Sequence, residues 1–249
     1  MVLTKIRNII RYLFFTNMTY SGQVESDRQS EIQIHALYTP IDLPEMTVDR
    51  QEFITWHEAN RTRTVDNIGH NTKDFIAPWL VSFAYTQDKE TRPIREGCVT
   101  GPEGWNKDIL NVIPNLQQIT EDYLPFSRIK YISFLEQKIP CQLHRDKTSQ
   151  KIISETDQPD SYKAFIVYDK PLMYFQKDKD IEDRLYIKHP TNLTKWFAIN
   201  NYDALHASDL PTAPDRKIIM TISGDLNQNV HKKILQRSFK KYKDYIINF

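Results

Sequence analysis

The stretch of sequence that decides the fold is Arg128–Asp225. It begins with Arg128–Leu135 (RIKYISFL) and ends with Arg216–Asp225 (RKIIMTISGD), and the shorter run Trp196–Ile199 (WFAI) lies between them. These runs are rich in β-branched and aromatic residues, and polar segments separate them. The pattern predicts β-strands that pack on a shared core.

The residues ahead of this stretch have a different period. Apolar side chains recur at helical spacing in Asp49–Ala59 and in Asn106–Tyr123, which predicts one helix over each segment. Between them, Trp79–Tyr85 is predicted as a strand and Asp88–Trp105 as a long loop. Helices followed by a β-rich second half predict an α+β fold, with helices packed on one face of a β-sandwich.

A chain of 249 residues can bury one substantial core, so we expect a single domain over residues 1–249. Residues 1–105 are expected to give helical and irregular support, including a strand at Glu31–Tyr38 that Pro40 ends. Residues 106–226 are expected to form the β-rich core with its preceding helix. Residues 227–249 are expected to form a basic C-terminal helix.

The composition is that of an ordinary globular protein, with 40% hydrophobic and 26% charged residues. A net charge of +1 gives no reason to expect nucleic acid or a membrane as the main partner. Cys98 and Cys141 are the only cysteines, so no disulfide framework is expected and a cytoplasmic location is predicted. No run of apolar residues is long enough to predict a transmembrane helix.

Three candidate metal ligands lie beside the predicted strands. His144 and Asp146 are two residues apart where a strand ends, and on a strand this spacing points both side chains to one face. His206 follows Trp196–Ile199. Two imidazoles and one carboxylate form the facial triad of non-haem Fe(II) sites and leave open coordination positions. A structural zinc site would more often use thiolates.

Arg216 is a candidate anchor for an anion, because it opens the apolar strand that ends the stretch. Its guanidinium is always charged and has the planar shape that binds a carboxylate. A buried arginine needs an anionic partner, which is either a ligand carboxylate or an acid of the protein such as Asp215 or Asp225. Ser208 and Ser223 are candidates to donate hydroxyl hydrogen bonds to the same ligand carboxylate.

The ordered set His144-x-Asp146, His206 and Arg216 resembles the 2-oxoglutarate- and Fe(II)-dependent dioxygenase superfamily. Within it, Arg128–Leu135 after a helix, and Trp196–Asn201 (WFAINN) ahead of Leu205–Ser208 (LHAS), look most like the aspartyl/asparaginyl β-hydroxylase branch. Bacterial free-proline hydroxylases are similar. The resemblance covers residues 106–226.

The resemblance implies a double-stranded β-helix, also called a jelly-roll or cupin-like core. It implies Fe(II) bound by His144, Asp146 and His206, and 2-oxoglutarate bound by Arg216 with Ser208 and Ser223. Members of the branch also place a basic residue on 2-oxoglutarate soon after the first metal ligand, and Lys163 is the candidate here. Ascorbate is a possible reductant.

The implied reaction is the hydroxylation by O2 of a C–H bond in an amino acid or peptide side chain, with release of succinate and CO2. The candidate residues for the substrate entrance are basic or aromatic and are Arg92, Arg95, Trp105 and Arg145. The partners expected are therefore a small molecule or a peptide, and neither a membrane nor nucleic acid.

Two other functions remain open at this level. One is a cupin-type metal enzyme that does not use 2-oxoglutarate and does not need Arg216. The other is a non-enzymatic nucleic-acid-binding module that uses the tail Lys232–Phe249, in which basic residues lie between apolar ones. A solvated helix that packs its apolar side on the domain explains the same tail pattern.

Overall fold

The computed structural model describes residues 36–63, 79–87, 104–138, 140–144, 161–168, 172–180, 183–199 and 205–248. All of them belong to one compact unit, His35–Phe249. They form an α+β fold with few helices, in which the paired strands are antiparallel. The predicted α+β class is confirmed. Residues 1–35 and most of the predicted loop at 88–105 lie outside the described residues.

Among the described residues, the larger sheet has eight strands. They are β1 (Tyr38–Pro40), β2 (Thr62–Arg63), β3 (Trp79–Thr86), β4 (Gly104–Trp105), β5 (Phe126–Gln137), β7 (Ser161–Tyr168), β10 (Trp196–Ile199) and β12 (Lys217–Leu226). Their order is β1-β10-β7-β12-β5-β3-β2, and β4 pairs with β3. The long strands β5 and β12 pair from Glu136 opposite Ile218 to Phe126 opposite Leu226.

The part of the second sheet that the structure describes has four strands, which are β6 (Cys141–His144), β8 (Met173–Gln176), β9 (Leu185–Tyr186) and β11 (Leu205–Ser208). Their order is β6-β11-β8-β9. From β5 onward the chain passes repeatedly from one sheet to the other. A buried apolar cluster includes Phe165 and Ile219 from the larger sheet and Met173 and Phe175 from the second, so the two sheets share one core.

Helix α1 (Arg50–Asn60) covers the outer face of the larger sheet. Asp49 caps it, because its carboxylate accepts from the backbone N–H groups of Gln51 and Glu52, as is common at a helix N-terminus. The buried rings of Phe53 and Trp56 pack against Phe134 of β5.

The single helix predicted over Asn106–Tyr123 is wrong, because the segment forms two helices. Helix α2 spans Lys107–Val112 and α3 spans Leu116–Asp122. Pro114 lies between them. It has no N–H to donate and it disfavours helical geometry at Ile113, where φ is −128° and ψ is 78°. The apolar face is still buried, since Ile109, Leu116 and Ile119 are inaccessible or nearly so.

Strand β1 includes Pro40, which was predicted to end a strand. The strand lies at the edge of its sheet, where a missing N–H does not interrupt a ladder on both sides. Thr39 pairs with Ala198 of β10 on one side, and Tyr38 forms a bridge to Ile247 on the other.

Helix α4 (Gln228–Tyr242) confirms the predicted C-terminal helix over most of its length, and a 3-10 turn follows at Lys243–Tyr245. Its buried His231 forms a 2.7 Å hydrogen bond with the hydroxyl of Tyr162 on β7. Among the residues that the structure describes, no helix is both long and apolar enough to cross a membrane.

Candidate metal and anion site

His144 and His206 meet on neighbouring strands of the second sheet. His144 is the last residue of β6, and it lies directly opposite His206 of β11. The centroids of the two imidazole rings are 4.4 Å apart, with 49° between the ring planes. The structure therefore brings together two of the three predicted metal ligands, although about sixty residues separate them in the sequence.

Both rings belong to the side of the second sheet that faces the larger sheet. His206 lies opposite Phe175 in the pairing of β11 with β8, and Ser208 lies opposite Met173. Directly opposed residues share a face of a sheet, and Phe175 and Met173 belong to the core shared by the two sheets. His206 and Ser208 are accordingly buried, with 8% and 5% of their surfaces exposed.

The third predicted ligand, Asp146, lies outside the described residues, as does Arg145. Across the described ranges no three His, Cys, Asp or Glu side chains are grouped so as to hold a metal ion. The two imidazoles fit the histidine part of a facial triad, because they converge from one face of paired strands. Completing that triad depends on Asp146.

Cys141 is a neighbour of the first histidine that the sequence interpretation did not use. Its Sγ lies 3.7 Å from Nδ1 of His144, and the residue is half-buried at the start of β6. A sulfur–nitrogen contact of this kind is a weak hydrogen bond. It helps to fix the orientation of the imidazole.

Lys217 is the main anion-binding candidate that the structure adds. Its side chain is buried, with 2% exposed, and it lies between the sheets. Its ammonium group donates to Oε1 of Gln137 at 3.0 Å and to the hydroxyl of Ser208. Ser208 is two residues from His206 on the same face of β11. Ser208, to which the ammonium group donates, is thus about 7 Å along the strand from His206.

Burial lowers the pKa of Lys217 to about 7 from a usual value near 10.5. The electrostatic influence of Asp209 and of Cys141 acts in the opposite direction, and the positive charge of Lys163 lowers the pKa further. Lys163 lies on β7, opposite Thr221, and its ammonium is 3.4 Å from the Thr221 hydroxyl. Two ammonium groups therefore share the space between the sheets, an arrangement that an anionic ligand would stabilise.

Arg216 does not join this cluster. It precedes Lys217 in the chain, and adjacent residues of a strand point to opposite faces. The Arg216 guanidinium contacts Glu136 of β5 at 2.8 Å and Glu58 of α1 at 2.8 Å, on the outer face that α1 covers. Of the two partners that the sequence left open, an acid of the protein is the one observed.

Glu136 is the buried centre of an ionic network on that outer face, and its arginine and lysine partners are partly exposed. Its carboxylate, which is 1% exposed, contacts Arg61 and Lys138 at 2.8 Å as well as Arg216. Burial alone would raise the pKa of Glu136, but the nearby His57 side chain, the hydrogen bond from Lys138 and the charge of Arg216 hold it well below its usual range. This network joins α1 to β5 beside a cleft of about 350 Å³.

The remaining predicted residues divide between near and distant positions. Ser208 is at the cluster, as predicted for a group that orients an anion. Ser223 is on the same strand as Lys217 but six residues further on, which is about 20 Å away. Trp105 lies on β4 against Tyr85, in a strand that pairs only with β3 among the described strands. Arg92 and Arg95 are outside the described residues.

The sequence carried a signal for Lys217. A lysine within an apolar strand is rarely buried unless its charge is compensated. The same argument fits Arg216 equally well, because nothing in the sequence of Arg216–Ile219 indicates which of the two adjacent basic residues points inward.

No protein-family model matches the chain, and no curated protein matches it either.

Proposed function

We propose that the protein is a 2-oxoglutarate- and Fe(II)-dependent hydroxylase that acts on a C–H bond of an amino acid or peptide side chain. The observation that carries the proposal is the inward-facing pair His144 and His206 with the buried ammonium of Lys217 beside it. A metal-binding pair next to a desolvated cation suits a cosubstrate that chelates a metal at one end and carries a carboxylate at the other.

The strand order supports a double-stranded β-helix as the core. Strands β5, β12, β7 and β10 are neighbours in the larger sheet, and β6, β11, β8 and β9 are neighbours in the second. The chain alternates between these two groups of four antiparallel strands, as it does in a jelly roll. His206 lies on an inner strand of the smaller group, and Lys217 opens the strand that follows.

The residues assigned to Fe(II) are His144, His206 and Asp146. A ferrous ion held there would bind 2-oxoglutarate and O2 in its open positions and supply the oxidising chemistry. The donor set suits that ion, since imidazole and carboxylate are ligands that iron accepts.

We assign the far carboxylate of 2-oxoglutarate to Lys217 rather than to Arg216. The Lys217 ammonium is held in place by Ser208 and Gln137, and Gln137 in turn donates to the backbone carbonyl of Ser208 at 2.9 Å. In a water-poor interior a charge-assisted bond to a carboxylate is stronger than at the surface. Lys163 supplies a second positive charge to the same anion.

The test compares two neighbouring substitutions. Titration calorimetry with Mn(II), which does not start turnover, measures binding of the metal and then of 2-oxoglutarate. His206→Ala should abolish tight metal binding. Lys217→Met should keep metal binding and weaken 2-oxoglutarate binding roughly 10- to 150-fold, the loss expected for a charge-assisted contact.

Arg216→Gln is the matched control, because glutamine keeps a donor for Glu136 while it removes the adjacent charge. This variant should bind 2-oxoglutarate within about threefold of the parent protein. Loss of binding in Arg216→Gln with retention in Lys217→Met would refute the assignment of Lys217. Metal binding with no 2-oxoglutarate binding and no succinate formation would refute the hydroxylase and favour a cupin-type enzyme.

A further inference from the structure

We propose that the outward face of helix α4 binds the phosphate backbone of a nucleic-acid duplex. The face consists of Lys232, Lys233 and Lys240 of α4 together with Lys243 at the start of the 3-10 turn that follows, and all four are exposed. In the described part of the chain, none of these four lysines forms an ion pair with an acid. The proposal does not depend on the proposed enzymatic function.

The fold fixes the direction in which this lysine face points. The opposite side of the helix is buried through Ile234, Leu235 and Tyr242, and His231 is tied to Tyr162. The helix cannot turn its lysines inward without exposing that side. The predicted packing of the apolar tail residues on the domain is thus observed for Leu235 and Tyr242.

Arg237 and Lys241 lie on the flank of the helix and are already neutralised. Both contact the carboxylate of Asp42, Arg237 at 2.8 Å and Lys241 at 2.6 Å. They are basic residues with a structural role, whereas the four outward lysines have none that the described contacts reveal. This difference distinguishes the four outward lysines, as a candidate binding face, from a general excess of positive charge along the helix.

The concentration of charge on α4 is not shared by the rest of the chain. Residues 228–243 contain six basic residues and no acidic residue, while the whole chain has 33 basic and 32 acidic residues, so the remainder is net negative. Like charges one turn apart repel each other and destabilise a helix. The lysine face extends about 16 Å, a length over which a duplex presents about ten phosphates.

The chemistry of the face favours nucleic acid over a protein or a membrane. Protein interfaces are depleted in lysine and are built around aromatic anchors and arginine. An interfacial membrane helix inserts its apolar side into the lipid, and here that side is buried in the fold. Lysine ammonium groups on a convex helix suit sequence-independent phosphate contacts.

A duplex is favoured over a single strand because the lysine face has no fully exposed aromatic ring on which bases could stack. Proteins that bind single strands stack successive bases on exposed aromatic rings. Of the two aromatic residues of α4, Tyr242 is buried and Phe239 is half-buried, so neither presents a fully exposed ring for stacking. The contacts available are therefore with the backbone.

Fluorescence anisotropy with a labelled 24-base-pair DNA duplex tests the proposal across a range of salt concentrations. We expect a dissociation constant in the micromolar range at about 50 mM salt, and a log–log salt slope of about −3.6 for four phosphate contacts. The triple variant Lys233→Gln, Lys240→Gln, Lys243→Gln should bind at least tenfold more weakly and reduce the slope to about −0.9.

The control is a second triple variant with the same loss of charge at exposed lysines elsewhere, Lys107→Gln, Lys179→Gln, Lys188→Gln. It should bind the duplex within about twofold of the parent protein. Equal loss in both variants, or absence of duplex binding by the parent protein at 50 mM salt, would overturn the proposal. Tighter binding to the separated single strand, or lysine-dependent binding only to vesicles containing phosphatidylserine, would overturn it as well.

Discussion

Replacing the buried Lys217 by methionine is expected to stabilise the ligand-free protein at neutral pH. Burial lowers the pKa of this lysine to about 7, whereas in the unfolded chain it titrates near 10.5. Between these two values the unfolded state binds more protons than the folded state. The free energy of unfolding must therefore rise with pH across this window, and below pH 7 the full cost of the buried charge remains.

The size of the effect follows from the two pKa values. At pH 7 the displaced titration costs the folded protein about 4 kcal/mol, and at pH 9 about 2 kcal/mol. Methionine removes this cost, but it also removes hydrogen bonds to Ser208 and Gln137, which are worth about 2 kcal/mol together. The variant should thus be about 2 kcal/mol more stable at pH 7 and of equal stability at pH 9.

Urea unfolding of parent and variant at pH 7, 8 and 9 measures this difference. Subtracting the two free energies at each pH cancels the contribution of all other titrating groups. The difference should shrink by about 2 kcal/mol from pH 7 to pH 9. Exposed Lys188→Met should show no such trend. A difference that does not change with pH would refute the argument, and so would a variant that is less stable at pH 7.

Two further predictions concern the sheet that carries Lys217. Glu136→Gln should lower the free energy of unfolding by about 3 kcal/mol at pH 7, because it leaves three cations around a buried neutral group. As a control, Glu58→Gln at the exposed end of the network should lower it by less than about 1 kcal/mol. Glu136 contributes this stability at pH values above the pKa that it has in the unfolded chain, and the contribution is lost as the pH falls below that value. The free energy of unfolding of the Gln variant should therefore fall less steeply with acidification than that of the parent protein. Gly224→Ala should cost about 1–3 kcal/mol by urea unfolding, because the added Cβ would lie 2.2 Å from the backbone oxygen of Arg128, while Ser223→Ala next to it should cost less. An unfolding midpoint unchanged by Gly224→Ala would contradict this packing.

The sequence was sufficient for features that depend on local pattern. The α1 helix and its Asp49 cap, the strand at Trp79–Thr86 and the long strands β5 and β12 follow from period and from capping chemistry. The break between α2 and α3 was also predictable from the sequence, because Pro114 disfavours a continuous helix. The continuous apolar face of Asn106–Tyr123 nevertheless favoured a single helix.

The candidate site was only partly predictable, because its geometry depends on which face of the sheet each strand residue points to. His144 and His206 could be placed on strands, and their meeting required only that β6 and β11 pair. The choice between Arg216 and Lys217 required knowing which residue of β12 faces the second sheet. A shift of one residue exchanges those faces, and sequence periodicity does not fix it where both neighbours are basic.

The direct opposition of His144 and His206 also makes metal affinity a reporter of strand register. The pairing of β6 with β11 joins segments about sixty residues apart in the chain, so its formation costs more loop-closure entropy than a local contact does. A metal ion that binds both rings at once requires these two segments to be aligned. A slip of β11 by one residue would carry His206 away from the core and leave His144 alone, while most of the secondary structure stayed intact. Titration with a divalent metal would detect such a misfolded species that circular dichroism would not distinguish from the native one.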